Sequence, residues 1–187
     1  MNLVYTTDNN FIPQVAAGMC SVMENNREMD WIHFYIVSDG VTPENQAQLS
    51  ALVRQYGREL TVIELDEIAS YFDFEFDTLG WRPVILARLL LDRLLPPDVD
   101  RVLYLDGDTI VRGNLAELWQ TDMGDAVIGA CVEPTMDKQR KIALGMENVP
   151  YFNSGVLLID LDKWRKQCTG QRIIQFYDCL LYTSRCV

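Results

Sequence analysis

The stretch Arg101-Val-Leu-Tyr-Leu-Asp-Gly-Asp-Thr-Ile-Val111 decides the fold of this chain. Residues 102–105 form an apolar run of strand-forming residues, and the run stops abruptly at Asp106. A continuous apolar run is typical of a buried parallel strand, because both of its faces are covered. In an open α/β sheet, ligands bind beyond the carboxyl ends of the strands. The polar residues that follow this run are therefore placed where chemistry is expected.

Two carboxylates lie at this position, Asp106 and Asp108. Residues two apart in an extended segment point the same way, so both side chains can converge on one cation. Gly107 between them lets a ligand or the backbone approach closely. Carboxylate oxygens suit Mg²⁺ or Mn²⁺, which in turn bridge substrate phosphates. The alternative is an Asp-Gly turn with solvated acids, and the apolar strand directly before it favours the metal interpretation.

The composition limits the size and the class of the protein. A chain of 187 residues fits one or two domains, and a hydrophobic content of 49% is enough for a sizeable core. The net charge of −11 argues against nucleic acid and against anionic membrane surfaces, because both require basic patches. An acidic protein that binds an anionic nucleotide needs a metal, or a local cluster of basic side chains and backbone N–H groups.

The sequence predicts a cytoplasmic protein. No apolar run approaches the roughly 18 residues of a membrane span. Residues 1–5 already form a strand without a basic region, which predicts that there is no signal peptide. The five cysteines show no C-x-x-C and no metal-binding spacing, as expected for incidental thiols in a reducing compartment.

Predicted strands and helices alternate along the chain, which indicates one α/β domain with a mostly parallel central sheet flanked by helices. The strands are expected at 3–7, 31–37, 60–65, 102–105, 126–132 and 156–160. The helices are expected at about 12–26, 43–57, 83–95, 113–119 and 161–167, with another beginning near the basic cluster 138–141. The aromatic and acidic segment 66–80 is predicted to be a surface connection.

Three polar features lie next to these elements. Asp8-Asn-Asn10 follows the first strand and can either cap a helix or hydrogen-bond a base or ribose. Arg88 lies in the middle of a helix that is apolar nearly all round, so it needs a partner, which could be Asp8, Asp106 or a substrate phosphate. Asn153 precedes a buried strand and fits either a plain turn or an amide that contacts a hydroxyl-rich ligand.

Five segments together resemble the family 8 retaining glycosyltransferases, which include bacterial lipopolysaccharide galactosyl- and glucosyltransferases and glycogenin. The segments agree with that family in order and spacing, and the match covers about residues 1–178. They are Val4-Tyr-Thr-Thr-Asp-Asn-Asn10, Ala87-Arg-Leu89, Val102-Leu-Tyr-Leu-Asp-Gly-Asp108, Leu118-Trp119 and Tyr151-Phe-Asn-Ser-Gly-Val-Leu-Leu-Ile-Asp160. The resemblance implies a nucleotide-diphospho-sugar transferase fold of the GT-A type.

The resemblance also implies a function: retaining, Mn²⁺-dependent transfer of a hexose from a UDP-sugar to a glycan or lipopolysaccharide hydroxyl. The full-length parent would then lie in the cytoplasm, at the inner membrane. By resemblance, Asp106 and Asp108 bind Mn²⁺ or Mg²⁺, and the metal holds the UDP diphosphate. By resemblance, Thr6, Thr7, Asp8 and Asn10 hold uracil and ribose, Arg88 contacts the donor sugar or the diphosphate region, and Asn153 lines the sugar pocket. Gly107 and Ser154 complete the expected donor-binding set.

The chain departs from the family pattern in its C-terminal part. The family supplies a third metal ligand, a histidine, from an H-x-x-G-x-x-K-type motif, and a D-Q-D-type segment beside the reacting sugar. This chain contains neither motif, and its one histidine is His33. We therefore expect the catalytic residues in a missing C-terminal segment, and we expect residues 179–187 to be a non-native tail.

Two other functions are compatible with the sequence. One is a haloacid-dehalogenase-like phosphohydrolase, with Asp106 as nucleophile and Asp108 as acid/base. That motif normally opens its domain, however, whereas about a hundred residues precede it here. The other is a nucleotide-binding fragment without catalytic activity, which binding without transfer would reveal.

Overall fold

The computed structural model describes residues 1–65, 83–143 and 145–185, and the side chains of 1–65, 84–143 and 145–177. The strands are β1 (Asn2–Asp8), β2 (His33–Asp39), β3 (Glu59–Glu64), β4 (Arg101–Leu105), β5 (Ile128–Val132) and β6 (Phe152–Asp160). The α-helices are α1 (Ile12–Asn25), α2 (Pro43–Gln55), α3 (Leu91–Leu94), α4 (Ala116–Trp119), α5 (Lys138–Ala143), α6 (Leu161–Lys166) and α7 (Thr169–Arg185). The described residues also include the 3₁₀ helices Asn9–Phe11 and Pro83–Leu90.

All six strands form one sheet in the order β3-β2-β1-β4-β6-β5. The pairings from β3 to β4 are parallel, while β6 is antiparallel to both of its neighbours. Among the strands that the structure describes, only β6 therefore runs against the others, and the prediction of a mostly parallel α/β sheet is confirmed. The chain moves outward from β1 to β3 and returns on the other side at β4, so the strand order switches between β1 and β4.

Helices cover both faces of the sheet. Alternate residues of β1 and β4 enter two separate cores, with Leu3 and Leu103 on one face and Val4 and Val102 on the other. The first face packs against α1 and α2, and the second packs against the 83–94 segment and α6. Val102, Leu103, Tyr104 and Leu105 are all buried as a result. This double coverage explains why the decisive stretch is apolar without alternation.

Most of the predicted elements are present within two or three residues of their expected ends. The predicted helix at 83–95 differs in kind, because its first eight residues are 3₁₀ and only Leu91–Leu94 is α-helical. The chain also continues beyond the helix expected to be the last, into α7. The segment 66–80, interpreted as a surface connection, lies outside the described residues, as do the side chains of the proposed tail at 179–187.

The prediction about the Asp106–Asp108 segment is wrong in its geometry. β4 ends at Leu105, and the N–H of Thr109 donates to the carbonyl of Asp106 over 3.1 Å, which closes a turn. The Thr109 hydroxyl donates to the same carbonyl over 2.7 Å. The two carboxylates are thus not side chains of one extended strand. The Asp-Gly turn of the alternative interpretation is the observed backbone, and what the acids contact decides their role.

Candidate functional site

A cavity of about 380 Å³ opens where the carboxyl ends of β1 and β4 meet. This is the point at which the strand order switches, and open α/β sheets bind their ligands there. Its volume lies within the roughly 300–1,000 Å³ of ordinary ligand pockets. The cavity is lined by Thr6, Thr7, Asp8, Phe11, Val84, Ile85, Arg88, Asp106, Gly107, Asp108 and Ser154.

A second cavity of similar size, about 400 Å³, lies elsewhere and is lined in part by Tyr56, Arg27 and Arg58. Its arginines are already engaged by the protein. Arg27 pairs with Glu24 over 2.7 Å, and Arg58 donates to three backbone carbonyls between residues 26 and 29. We therefore place the functional site at the β1–β4 cavity, where charged and polar groups converge on open space.

Asp106 is held from several directions. Its Oδ1 accepts from the Tyr104 hydroxyl over 2.8 Å and from Arg88 Nη2 over 3.1 Å. Its backbone N–H donates to the carbonyl of Gly155 on β6 over 2.8 Å. A Cβ on Gly155 would lie 2.7 Å from Asp106 Oδ2, so only glycine leaves that oxygen its present position. One oxygen of Asp106 is thus occupied by donors, and the other lies against a glycine.

Arg88 confirms the prediction that its charge needs a partner. The side chain is 16% exposed and pairs with Asp106. Its Nη1 donates to the carbonyl of Ser154 over 2.9 Å and to the Ser154 hydroxyl over 3.2 Å, and its Nε donates to the carbonyl of Ile85 over 2.8 Å. The guanidinium lies 4.6 Å from the centre of the Tyr104 ring, within cation–π range. These contacts hold a positive charge at the cavity wall.

Tyr104 connects Asp106 to the first strand. Its hydroxyl lies 3.0 Å from Thr6 Oγ1 on β1. The residue is 1% exposed, and burial together with the neighbouring Asp106 charge raises the pKa of the phenol despite the opposing effect of Arg88. The phenol therefore stays protonated and donates to the carboxylate. Since it has one proton, the Thr6 hydroxyl must donate to the tyrosine oxygen.

The remaining site residues at the end of β1 occupy different positions. Thr7 and Asp8 line the cavity. Asp8 Oδ1 accepts from the N–H groups of Asn10 and Phe11, so it caps the 3₁₀ helix, as one of the two sequence alternatives predicts. Asn10 is exposed and is not among the residues that line the cavity.

Asn153 and Ser154, both predicted to bind the donor, also occupy different positions. Because β6 is antiparallel to β4, its beginning lies at the same sheet edge as Asp106, which places Ser154 in the lining. Asn153 lies within β6 rather than before it, and it is not in the lining. Its amide oxygen accepts from the N–H of Gly155 over 2.7 Å, and its amide nitrogen donates to Glu133 over 3.3 Å.

The carboxylates fit a hard divalent cation. Asp106 and Asp108 line one cavity, and Mg²⁺-type sites commonly use one or two carboxylates together with substrate phosphates. Within the described part of the chain, no three or more His, Cys, Asp or Glu side chains are arranged so that they could hold a metal ion. The candidate ligands among the described residues are therefore these two carboxylates, and oxygens of a ligand or other groups would have to complete the coordination.

Sequence reasoning missed four residues of the site. Phe11, Val84 and Ile85 give the cavity an apolar wall, and Tyr104 lies behind Asp106. In the sequence these residues look like ordinary core, and no local pattern separates them from it. The one available signal was position, since Val84 and Ile85 stand one helical turn before Arg88 and Tyr104 stands two residues before Asp106.

The chain matches the family model described as Glycosyl transferase family 8 over residues 2–180. It is 29% identical over 167 residues to the lipopolysaccharide 1,2-glucosyltransferase of Escherichia coli (strain K12), covering 88% of this chain and 48% of that protein. It is 26% identical over 181 residues to the lipopolysaccharide 1,3-galactosyltransferase of Salmonella typhimurium (strain LT2), covering 93% and 52%. The chain thus spans about half the length of these curated relatives.

Solved structures agree with the sequence comparison. The galactosyltransferase LgtC, solved in complex with donor and acceptor sugar analogs, is 33% identical to this chain with a TM-score of 0.78. The alignment covers 89% of this chain and 60% of that one. The glycosyltransferase GlyE of Streptococcus pneumoniae TIGR4, at 24% identity and a TM-score of 0.68, shares the fold.

Proposed function

The chain belongs to glycosyl transferase family 8 and has the GT-A-type fold of that family, and we propose that it forms the nucleotide-sugar-binding part of a UDP-sugar-dependent hexosyltransferase. The reaction transfers a hexose from a UDP-sugar, with retention, to a hydroxyl of a glycan or lipopolysaccharide. The chain spans about half the length of these relatives, and we propose no catalytic residue among the residues that the structure describes.

One observation carries the proposal: a single cavity at the β1–β4 switch point brings together Asp106, Asp108 and Arg88 with the polar end of β1. A nucleoside diphosphate has a polar base and ribose joined to two phosphates. Thr6, Thr7 and Asp8 offer hydroxyl and carboxylate groups to the nucleoside, while Arg88 offers fixed N–H donors to the diphosphate. The apolar side chains of Phe11, Val84 and Ile85 would exclude water from the bound donor.

Asp106 and Asp108 are the residues that would hold Mn²⁺ or Mg²⁺ in this cavity. A bound cation offsets the negative charge that grows on the diphosphate as the glycosidic bond breaks. Arg88, which pairs with Asp106 and lines the cavity, would offset the same negative charge on the diphosphate. These roles explain how an acidic protein, with a net charge of −11, accepts an anionic donor.

The acceptor is proposed from the relatives alone. Two of the proteins that match the chain are named for transfer to lipopolysaccharide, one as a glucosyltransferase and one as a galactosyltransferase. In the part of the chain that the structure describes, no helix is long and apolar enough to cross a membrane. We propose a cytoplasmic site of action, with the whole protein at the inner membrane surface.

Calorimetric titration of UDP into the chain, with and without Mn²⁺, tests the donor site directly. We expect UDP binding that requires the metal and is lost in Asp106→Ala and Asp108→Ala. Asp122→Ala is a matched control, because it removes an exposed carboxylate that does not line the cavity. The proposal is contradicted if the folded chain does not bind UDP in the presence of Mn²⁺. It is also contradicted if Asp106→Ala and Asp108→Ala bind UDP as tightly as the unaltered chain does.

Family membership removes the phosphohydrolase alternative, in which Asp106 is a nucleophile. The alternative of a nucleotide-binding fragment without turnover stays a prediction. It differs from the main proposal in one measurable respect: UDP and Mn²⁺ bind, but the chain neither hydrolyses UDP-glucose or UDP-galactose nor transfers their hexose.

A further inference from the structure

A row of hydrogen bonds runs from the cavity wall on β1 to the end of β4. The Thr6 hydroxyl donates to the Tyr104 oxygen over 3.0 Å, and the Tyr104 hydroxyl donates to Asp106 Oδ1 over 2.8 Å. Thr6 and Asp106 both line the cavity, whereas Tyr104 is buried beneath it. The row therefore joins the predicted nucleoside end of the cavity to the predicted metal end through a side chain that does not line the cavity.

The hydroxyl proton of Tyr104 is donated to Asp106 Oδ1. Asp106 Oδ1 also accepts from Arg88 Nη2 at 3.1 Å, so two donors approach the same oxygen. As long as both are present, Oδ1 is filled and Oδ2 is the oxygen left for a cation. If the phenol hydroxyl were absent, Oδ1 would keep one donor, Arg88 Nη2, because the other guanidinium nitrogens already donate to Ser154 and Ile85. The carboxylate would then lose one of the two bonds that fix its orientation.

We propose that Tyr104 is a positioning residue that holds Asp106 Oδ1, so that Oδ2 is presented to a divalent cation. The inference rests on the proposed function, since it concerns the cation that accompanies a nucleoside diphosphate. It goes beyond that function by assigning a role to a buried residue outside the ligand-contacting set. It also predicts that occupation of the Thr6 end of the cavity affects metal affinity at the Asp106 end.

The direction of the effect follows from the geometry. Groups that orient a metal ligand from behind typically contribute about 10- to 100-fold in metal affinity. For Tyr104→Phe we therefore expect Mn²⁺ binding, followed by the loss of the free-ion signal in electron paramagnetic resonance, to weaken by about 10-fold. Thr6→Val keeps the shape of the side chain and leaves the Tyr104–Asp106 bond in place. We expect Thr6→Val to weaken Mn²⁺ binding less than Tyr104→Phe does. We also expect that UDP raises the Mn²⁺ affinity of Thr6→Val by less than it raises that of the unaltered chain.

Tyr5→Phe is the matched control. Tyr5 is also fully buried in the sheet, but its hydroxyl has no hydrogen-bond partner among the described residues, and it belongs to the opposite face. Its removal should leave Mn²⁺ affinity unchanged. Urea unfolding of all three variants separates a loss of affinity from a loss of folding, because a merely structural role for Tyr104 would lower stability without changing the affinity of the folded protein.

The outcomes distinguish this inference from the proposed function. If the unaltered chain binds no Mn²⁺ even with UDP present, the proposed function fails and the inference fails with it. If the unaltered chain binds Mn²⁺ and folded Tyr104→Phe binds it equally well, the proposed function stands and the inference is overturned. Weakened binding in Tyr104→Phe, with unchanged binding in Tyr5→Phe, supports the positioning role.

Discussion

Arg88 Nη2 lies 3.1 Å from Asp106 Oδ1, so the carboxylate predicted to bind a cation is paired with a guanidinium. The pair also explains how Arg88 is tolerated in an apolar segment, since a buried charge needs a partner. A cation and the guanidinium then share one carboxylate, and a diphosphate would give the guanidinium a second anion to contact. The two ligands should respond in opposite ways to the loss of Arg88.

For Arg88→Ala, we expect UDP binding in Mn²⁺ to weaken by about 10- to 100-fold, because a hydrogen bond to a charged group contributes about 1.5–3 kcal/mol. We expect Mn²⁺ alone to bind no more weakly than before, and up to about 10-fold more tightly, because a like charge is removed beside it. Calorimetry and paramagnetic resonance measure the two affinities. Arg93→Ala, on the same segment but exposed, is the control, and equal losses for both ligands would contradict the argument.

Gly155 is required by the approach of β6 to Asp106. A Cβ there would lie 2.7 Å from Asp106 Oδ2 and 3.0 Å from Asn153 Oδ1. In Gly155→Ala the carboxylate must move, so we expect Mn²⁺ affinity to fall at least about 10-fold and stability to fall by about 1–3 kcal/mol.

Gly129→Ala is the matched control for that change. Gly129 lies on the adjacent strand β5, and its added Cβ would make an ordinary contact of 3.6 Å with the Leu158 side chain. We expect metal affinity to be unchanged there. If Gly155→Ala bound Mn²⁺ as well as Gly129→Ala does, the close approach would have no bearing on the site.

The sequence predicted the sheet and the cavity edge because those features depend on burial. The run 102–105 is apolar without alternation, and the structure covers both of its faces. The same pattern could not give the direction of β6, since a doubly covered strand is a continuous apolar run in either direction. Likewise, the sequence of the segment 83–90 could not reveal a 3₁₀ rather than an α-helix, because residues that are apolar nearly all round show no hydrophobic period that distinguishes the two.

Side-chain partners were the part that the sequence could not supply. Arg88 was expected to need an anion, and three candidates were equally compatible with the pattern. The choice of Asp106 depends on how β4 and the 83–90 segment pack together. Tyr104 was hidden for a similar reason: it occupies a core position in a strand, and its role depends on which groups its hydroxyl meets across β1 and beyond β4.

Asp160 supplies a test of local structure away from the cavity. It caps α6, accepting from the N–H of Lys163 over 2.9 Å, and its Oδ2 lies 3.0 Å from Lys163 Nζ. Burial alone would raise the pKa of Asp160, but the hydrogen bonds and the charge of Lys163 outweigh it and lower the pKa. We expect Asp160→Ala to reduce the free energy of unfolding by about 1 kcal/mol at neutral pH.

The pH dependence of that loss has a definite sign. A carboxyl whose pKa is lowered by folding stabilises the protein fully above its unfolded value, and the contribution disappears as the pH falls through the folded value. The difference in free energy of unfolding between the unaltered chain and Asp160→Ala, measured in urea, should therefore shrink in acid. Asp162→Ala, which removes an exposed pair with Lys166, should cost less than about 1 kcal/mol. A larger cost for Asp162 than for Asp160 would contradict the assignment of the cap.

His33 is a base, unlike the carboxylic acid Asp160, and folding lowers its pKa. Its ring is 22% exposed, stacks on Tyr35 with 4.2 Å between ring centroids, and places Nε2 2.8 Å from Thr61 Oγ1. Burial lowers the pKa of His33 although Glu59, 3.3 Å from Nδ1, acts to raise it, and the nearby N-terminal ammonium lowers it further. Burial prevails because Glu59 is itself largely exposed, so solvent screens its charge.

The unfolded chain therefore takes up a proton at His33 before the folded chain does, near the ordinary histidine value of about 6.5. Stability must fall as the pH drops from about 7.5 through that value, until the folded protein is protonated as well. Across this range, the free energy of unfolding measured in urea should change less with pH for His33→Gln than for the unaltered chain. The difference between the two curves removes the contribution of the N-terminal amine, which both proteins carry. Glu59→Gln removes the one influence that raises the pKa, so its loss of stability should extend to lower pH. If the unaltered chain instead gained stability relative to His33→Gln on acidification, the ion pair with Glu59 would outweigh burial, and the sign assigned here would be wrong.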